Sequence, residues 1–307
     1  MAVGTNPTKV SGGNKFAPRI QQTIDGWRKA DPTSKKKMPV EVDVPEWLAE
    51  RGRESFATER MRAVGDHALI AFYFLLRIGE YTCKGTRNES KQTVQFRMRD
   101  VVFFDKDKSG RPATLSRTAS DDALLNAASG TLKLENQKNG WKDVCVHQEA
   151  NGLDFLCPIR ALARRYIHIR RNGGGPDTLL SAFFVEGKRD DVRDKDIRAG
   201  LKMAAAALDY PATRNIPVER VDTHSLRSGG ANALALSGYS DTNIQKMGRW
   251  RGATFKEYIS TELHRAASGM SRDMLRKFNF VNIASGAFCD VTPAALFADY
   301  DTCAGAA

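Results

Sequence analysis

The strongest constraint on the fold is a change in the spacing of the apolar residues along the chain. Up to about residue 79, and again after about residue 158, they recur at the intervals typical of amphipathic helices. Between about residues 92 and 146 they alternate with polar residues, as Val94, Phe96 and Met98 do, and this alternation predicts strands. The sequence therefore predicts an α+β fold that is mainly α-helical, with a small antiparallel sheet or hairpin.

Turn and capping residues place the individual elements. Residues 131–135 and 141–146 flank an Asn-Gly pair at 139–140 and are predicted to form a hairpin. Pro158 stands at the first position of a predicted helix, and Gly173 lies just beyond its end. Further helices are predicted at 19–30, from Pro45, at 61–79 and at 194–208. We expect a disordered N-terminus with one helix and a basic linker (1–38), a main domain (39–277) and a tail (278–307).

The net charge points to a polyanionic partner. Lys and Arg number 47 against 36 Asp and Glu, a formal net charge of +11, and the isoelectric point is about 9.5. Such an excess favours nucleic acid over other partners. The densest one-sign stretch, 160–171, contains five arginines and no acidic residue. Arg160, Arg164 and Arg165 are therefore expected to follow a phosphate backbone.

Other features of the sequence exclude several classes of protein. The five cysteines are scattered and form no Cys-x-x-Cys pair, so neither a disulfide framework nor a cysteine-rich zinc site is expected. No signal segment is present at the N-terminus, and the longest apolar run, 68–76, is shorter than the roughly 20 residues that cross a bilayer. We expect an intracellular protein without a membrane partner.

Residues 222–260 carry the most informative pattern. Asp222 or Thr223 can cap a helix that ends at Gly238, and His224 and Arg227 share one face at its N-terminal end. That end attracts anions, because its amides are unpaired and the helix dipole is positive there. Ser240 or Asp241 caps a second helix to about residue 247, and Gly248-Arg249-Trp250 turns the chain. Residues 254–257 form a capping box that begins a third helix with Tyr258 in its first turn.

The ordered set His-x-x-Arg, Gly-x-Trp and Tyr resembles the tyrosine recombinase, or phage integrase, family. Arg77, within Leu-Leu-Arg-Ile-Gly-Glu at 75–80, is similar to that family's first catalytic arginine. The resemblance covers residues 39–277, and the sequence around Gly248 is similar to that of enzymes from eukaryotic mobile elements. It implies a catalytic domain in which Arg77, His224, Arg227 and Trp250 hold a phosphate and Tyr258 attacks it.

The resemblance also implies a hairpin lysine and further contacts with DNA. Lys138 lies at the predicted turn, where the family's lysine is expected, and Lys133 and Lys142 are the alternatives. Arg249 and Arg251 flank Trp250 and are expected to contact DNA. Only 38 residues precede Pro39, where the family usually has a separate helical DNA-binding domain; the helix at 19–30 is expected to be its last remnant.

The implied reaction is cleavage and rejoining of double-stranded DNA through a 3′-phosphotyrosine. Covalent linkage conserves the phosphoester, so no ATP, metal or other cofactor is expected. The sequence contains no P-loop, no His-Glu-x-x-His and no Cys-x5-Arg loop. The expected partners are double-stranded DNA and further copies of the chain assembled on it, in the nucleus if the source is eukaryotic. In the family the C-terminal segment docks on a neighbouring protomer, and residues 290–300 are expected to do so here.

Two other functions are consistent with the same residues. A type IB-like topoisomerase uses the same chemistry but relaxes DNA rather than exchanging strands. An inactive DNA-binding protein derived from a recombinase would keep the basic surface and lose the reaction. A strand-exchange assay separates the first alternative from a recombinase, and formation of a covalent protein–DNA adduct separates the second.

Overall fold

The computed structural model describes residues 16–30, 37–83, 93–107, 109–136, 142–252 and 256. Residues 1–260 form one unit and 261–307 a second, and the second lies wholly outside the described residues. The described helices are α1 (Pro18–Ala30), α2 (Asp43–Arg51), α3 (Glu59–Tyr73), α4 (Ile78–Tyr81), α5 (Asp121–Leu125), α6 (Pro158–Arg171), α7 (Asp194–Ala207), α8 (Tyr210–Arg214), α9 (His224–Leu236) and α10 (Asp241–Gly248). None of them combines the length and apolar character needed to cross a bilayer.

The strands form two antiparallel sheets. The described strands are β1 (Val101–Lys106), β2 (Pro112–Thr114), β3 (Ser129–Asn136), β4 (Lys142–Glu149), β5 (Ala182–Val185) and β6 (Lys188–Asp191). The larger sheet has the order β2-β1-β3-β4, and β5 pairs with β6 in the smaller one. In the β3–β4 pair Leu132 lies opposite Val146, which confirms the predicted hairpin. Its turn at 139–140 lies outside the described residues. The mainly helical α+β class with a small antiparallel sheet is confirmed.

The strand predicted at Val94, Phe96 and Met98 is wrong. Residues 93–96 have no regular structure, and Met98 begins a short 3-10 helix (Met98–Asp100) before β1 starts. The backbone of Phe96 forms hydrogen bonds with residues outside any named strand. Its amide donates to the Glu80 carbonyl, and its carbonyl accepts from the Leu180 amide. Phe96 and Met98 are buried, so their apolar character reflects packing rather than an alternating strand.

Helix α3 forms the centre of the core. Its residues 68–71 are fully buried, and it packs against α2, α6, α7 and α9. Helix α6 begins at Pro158 and is followed by Gly173 in a left-handed conformation (φ +78°), as the sequence predicts. The same helix covers the larger sheet at Gly130, where an added Cβ would lie 3.3 Å from Cδ1 of Ile159. Sheet and helices therefore share one continuous apolar core.

The helix predicted at 61–79 ends early, at Tyr73. Leu75 adopts a left-handed conformation (φ +49°), and after it α4 begins at Ile78. Leu75 is buried in a small apolar cluster with Ala231, Ile244 and Trp250. The helix therefore breaks where the Leu75 side chain is buried against α9 and α10. This break separates Arg77 from the end of α3. Arg77 instead precedes the first turn of α4.

Two glycines let α9 approach the core closely. A Cβ on Gly229 would lie 1.9 Å from the Val40 carbonyl oxygen, and one on Gly230 would lie 2.3 Å from that of Phe72. Helix α9 is followed by Gly238 (φ +82°), and Ser240 caps α10 by accepting a hydrogen bond from the Asn243 amide. Both features agree with the sequence. The close approach sets the N-terminal half of α9 against the end of α3.

Candidate active site

Arg227 is the most firmly held side chain of the site. It lies on α9, and only 1% of it is exposed. Its guanidinium donates hydrogen bonds to two backbone carbonyls, those of Leu75 and Gly248. These acceptors belong to the α3–α4 connection and to the end of α10. Because a guanidinium is planar, two fixed acceptors determine its orientation.

Trp250 lies beneath this guanidinium. Cζ of Arg227 is 4.4 Å from the centroid of the Trp250 ring, a distance suited to a cation–π interaction. The ring is 6% exposed and packs on Leu75 and Ile244. Gly248 makes room for it, since a Cβ there would lie 1.5 Å from the ring. The Gly-x-Trp spacing therefore has a steric cause.

Arg77 is held by Glu80. The Arg77 amide donates to Oε2 of Glu80 at 2.9 Å, and its guanidinium lies 3.2 Å from Oε1. Glu80 is fully buried, whereas about 20% of the Arg77 side chain reaches solvent. The three-residue spacing on a helix start makes both contacts possible. The sequence assigns no role to Glu80, and the structure shows that its carboxylate holds Arg77.

His224 is the first residue of α9 and is exposed. Its pKa is lowered from the usual value, because the surrounding protein partly shields the imidazole from water and because Arg227 and Arg77 repel a further positive charge; Asp222 opposes this shift. Both guanidinium groups therefore disfavour protonation of this imidazole. A neutral imidazole at this position can accept a proton.

Two acceptors join these residues into one network. The Leu75 carbonyl accepts hydrogen bonds from Arg227 and from Arg249, and the Glu80 carboxylate binds both Arg77 and Arg249. We call this group of five residues the arginine hub. A main-chain acceptor such as Leu75 leaves no signal in a sequence, so it was not predicted. The hub links three segments of the chain: residues 75–80, helix α9 and residues 248–250.

The prediction that Arg249 contacts DNA is wrong in this structure. Arg249 is 1% exposed, and its guanidinium lies 2.9 Å from Oε2 of Glu80 and 3.1 Å from the Leu75 carbonyl oxygen. Burial lowers the pKa of Arg249, as does repulsion by Arg77, and the Glu80 carboxylate opposes the shift. The inward side chain of Arg249 gives the buried Glu80 carboxylate a second cationic partner beside Arg77.

The arginines of α6 are paired within the protein. Arg165 is 2% exposed and donates to the Ala182 carbonyl, so its predicted contact with a phosphate backbone is wrong. Arg164 binds Asp66 through two nitrogens, at 2.8 and 2.6 Å, and Arg160 pairs with Asp154. The last two are partly exposed. Arg251 is exposed next to Trp250. A run of positive charge therefore does not by itself define a binding face.

The predicted nucleophile, Tyr258, and the preferred candidate for the hairpin lysine, Lys138, both lie outside the described residues. Of the two alternative lysines, Lys133 pairs with Asp143 at 3.0 Å, and this contact raises its pKa. Lys142 begins β4 opposite Asn136. A raised pKa makes Lys133 a poorer proton donor.

Within the described ranges no cluster of three or more His, Cys, Asp or Glu side chains is arranged to hold a metal ion. The positive charge of the site comes from the side chains of Arg77, Arg227 and Arg249, and the carboxylate of Glu80 binds two of them, Arg77 and Arg249. The chemistry that these residues suit is therefore the binding of a phosphate and stabilisation of negative charge on its oxygens.

Comparison with solved structures finds similarity to two recombinases and an integrase. XerA recombinase aligns with a TM-score of 0.43 at 17% identity, over 81% of this chain and 67% of that one. XerH site-specific recombinase, bound to its difH substrate in a pre-cleavage complex, gives 0.43 at 16% identity, over 76% of this chain and 53% of that one. The Tn1549 transposon integrase, in complex with transposon right end DNA, gives 0.40 at 12% identity, over 79% and 68%. No protein-family model and no curated protein matches the sequence.

Proposed function

We propose that this protein cleaves and rejoins double-stranded DNA through a covalent bond between Tyr258 and a backbone phosphate. The observation that supports this most is the convergence of Arg77, His224, Arg227 and Trp250 from three separate segments of the chain. The arrangement combines two fixed guanidinium groups with an imidazole whose lowered pKa keeps it neutral. The proposed catalytic domain spans residues 39–277, as in the tyrosine recombinase family that the sequence resembles.

Each residue of the site has a role in this reaction. Attack by the Tyr258 oxygen forms the O–P bond, and negative charge develops on the non-bridging oxygens of the phosphate. Arg77 and Arg227 stabilise that charge; a preorganised donor of this kind contributes about 3–4 kcal/mol in a water-excluded site. His224 takes the phenolic proton, because a free phenol has a pKa of about 10. Trp250 supports Arg227 and offers its indole N–H to the phosphate.

The second half of the step breaks the bond between phosphorus and the 5′ oxygen. That oxygen leaves with a proton from Lys138, and the product is a 3′-phosphotyrosine with a free 5′ hydroxyl. Attack by a 5′ hydroxyl on the phosphotyrosine reverses the step, so the strand is rejoined without ATP. Integration or site-specific recombination follows when that hydroxyl belongs to another DNA molecule.

The DNA itself is expected to be held by the net positive charge of the chain, with Arg251 and the partly exposed Arg160 and Arg164 as candidate contacts. Two or more copies on one DNA site would bring paired strands together, with residues 290–300 docking on a neighbouring copy. Binding to DNA should weaken steeply with salt, because phosphate contacts release counterions. A flat salt response would count against DNA as the substrate.

The decisive test is incubation with nicked DNA from which the cleaved 5′ end diffuses away. The unaltered protein should accumulate a covalent adduct that survives a denaturing gel, whereas Tyr258→Phe should bind the same DNA and form none. Excess EDTA should leave the adduct in place, since the cations of the site are side chains. If the unaltered protein forms no adduct, the proposed function is wrong.

A separate substrate tests the lysine. Sulfur at the 5′ bridging position is a better leaving group than oxygen and needs little proton donation. Lys138→Ala should therefore cleave the sulfur-containing DNA nearly as well as the unaltered protein and ordinary DNA poorly. Lys142→Ala is the matched comparison; if that variant is the one rescued, the role belongs to Lys142 instead.

A further inference from the structure

Arg249 is buried more completely than its position in a Gly-Arg-Trp-Arg turn predicts. Only 1% of the residue is exposed, and its backbone adopts the left-handed conformation (φ +57°) that L residues seldom use. A glycine would suit this backbone better. An arginine in this buried, left-handed position indicates that its side chain has a role beyond forming the turn.

The contacts of Arg249 lead to both arginines of the proposed reaction. Its guanidinium binds the same Glu80 carboxylate that holds Arg77, and the same Leu75 carbonyl that accepts from Arg227. Leu75 is itself held in a left-handed conformation (φ +49°). Arg249 therefore ties the α10 end of the site to the segment that carries Arg77, across 169 residues of sequence.

We infer that Arg249 is a positioning residue for this reaction, setting Arg77 through Glu80 and Arg227 through the Leu75 carbonyl. The inference rests on the proposed function. It differs from the DNA contact that the sequence predicts, because it assigns the Arg249 guanidinium to Glu80 and the Leu75 carbonyl inside the protein. The two roles make opposite predictions for DNA affinity and for the rate of cleavage.

The test compares Arg249→Met and Arg249→Gly with the unaltered protein. Methionine keeps the length of the stem and removes the charge, and glycine removes the side chain while relieving the backbone. Both variants should bind DNA with unchanged affinity and an unchanged salt slope. At saturating DNA, both should form the adduct at least roughly tenfold more slowly. Arg189→Met, which removes an exposed cation from β6, is the matched control and should change neither quantity.

A double-mutant cycle tests whether Arg249 acts through Arg77. If Arg249 positions Arg77, the double variant Arg249→Met, Arg77→Lys should form the adduct about as slowly as the slower single variant. Each change alone already disrupts the same placement of Arg77 by Glu80. Arg249→Lys, which retains a cation for Glu80, should recover part of the rate. Strictly additive losses would overturn the inference, since they would mean that the two residues act independently.

The other outcomes are also distinguishable. If Arg249→Met forms the adduct at the normal rate, the inference is wrong and the proposed function stands. Weaker DNA binding with a normal rate at saturation would assign Arg249 to DNA contact instead. Failure of Arg249→Met, Arg249→Gly and Arg249→Lys alike to fold would reduce its role to stability. Absence of an adduct with the unaltered protein would overturn the proposed function and this inference with it.

Discussion

His224 begins α9, and its imidazole titrates in the field of two guanidinium groups. Its pKa is lowered by partial exclusion of water and by repulsion from Arg227 and Arg77. The neutral form is the one that can take a proton from a phenol. Adduct formation should accordingly persist above this lowered pKa and be lost as the pH falls through it, so the acid limb lies below pH 6.5.

The contribution of Arg77 to this shift can be measured directly. In Arg77→Gln a like charge is removed, so the pKa of His224 should rise and its titration should move to higher pH. NMR titration of the imidazole reports this without any need for activity, and His224→Gln identifies the signal among the five histidines of the chain. Arg189→Gln serves as control. An unchanged titration in Arg77→Gln would mean that the two side chains do not face each other.

At the level of single residues, charge was the least reliable guide. The sequence predicts both Arg165 and Arg249 on a DNA-facing surface, and both are buried against acceptors from other segments of the chain. A sequence shows that a residue is cationic, but its burial depends on which carboxylate or carbonyl the fold brings to it. The Arg77–Glu80 contact is different: the partners are three residues apart, and such spacing is visible in the sequence.

Among the elements, α9 has the tightest fit to its surroundings. Gly229 faces the Val40 carbonyl, and Gly230 faces that of Phe72. An added methyl group has no space at either position, so the helix would have to move away from α3. Arg227, His224 and their contacts lie on the same helix, and displacement of α9 would disturb the site as well as the core.

Gly229→Ala should lower the free energy of unfolding by about 1–3 kcal/mol, the usual cost of overpacking a core. The added Cβ would lie 1.9 Å from the Val40 carbonyl oxygen. The matched control is Gly26→Ala in α1, where an added Cβ meets nothing within 4 Å. Urea unfolding measures both. Equal stability of the Gly229→Ala variant and the unaltered protein would show that α9 does not pack as described.

The elements also show why the hairpin was predictable and the break after α3 was not. The β3–β4 hairpin follows from local alternation around a turn, so short-range sequence contains it. Leu75 leaves the helical conformation where it packs with Ala231, Ile244 and Trp250, which lie more than 150 residues further on. Local apolar periodicity continues through residue 76 and therefore predicted one longer helix.

On the scale of the whole molecule, His67 links stability to pH. It is fully buried in α3, its Nδ1 lies 2.7 Å from the Ala63 carbonyl oxygen, and burial, with repulsion from Arg165, lowers its pKa to about 3. An imidazole exposed to water, as in an unfolded chain, has a pKa of about 6.5. The folded state therefore excludes a proton that the unfolded state binds at acid pH.

The free energy of unfolding should consequently fall as the pH drops from 6.5 towards 3, by up to about 1.4 kcal/mol per pH unit from this residue. His67→Gln has no such proton to bind and should show a shallower decline. Comparison of the two proteins at pH 8, where His67 is neutral in both states, measures the packing cost of the substitution separately. Parallel pH profiles for the two proteins would mean that His67 does not contribute to the pH dependence of stability.

The central claim is that Tyr258 bonds covalently to DNA, and mass spectrometry of the trapped adduct tests it most directly. After nuclease and trypsin digestion, cleavage after Lys256 and Arg265 should release the peptide 257–265, which contains a single tyrosine. We predict that this peptide carries a nucleotide remnant joined through its 3′ phosphate to Tyr258. A remnant on any other residue, or an adduct whose peptide 257–265 is unmodified, would contradict the proposal.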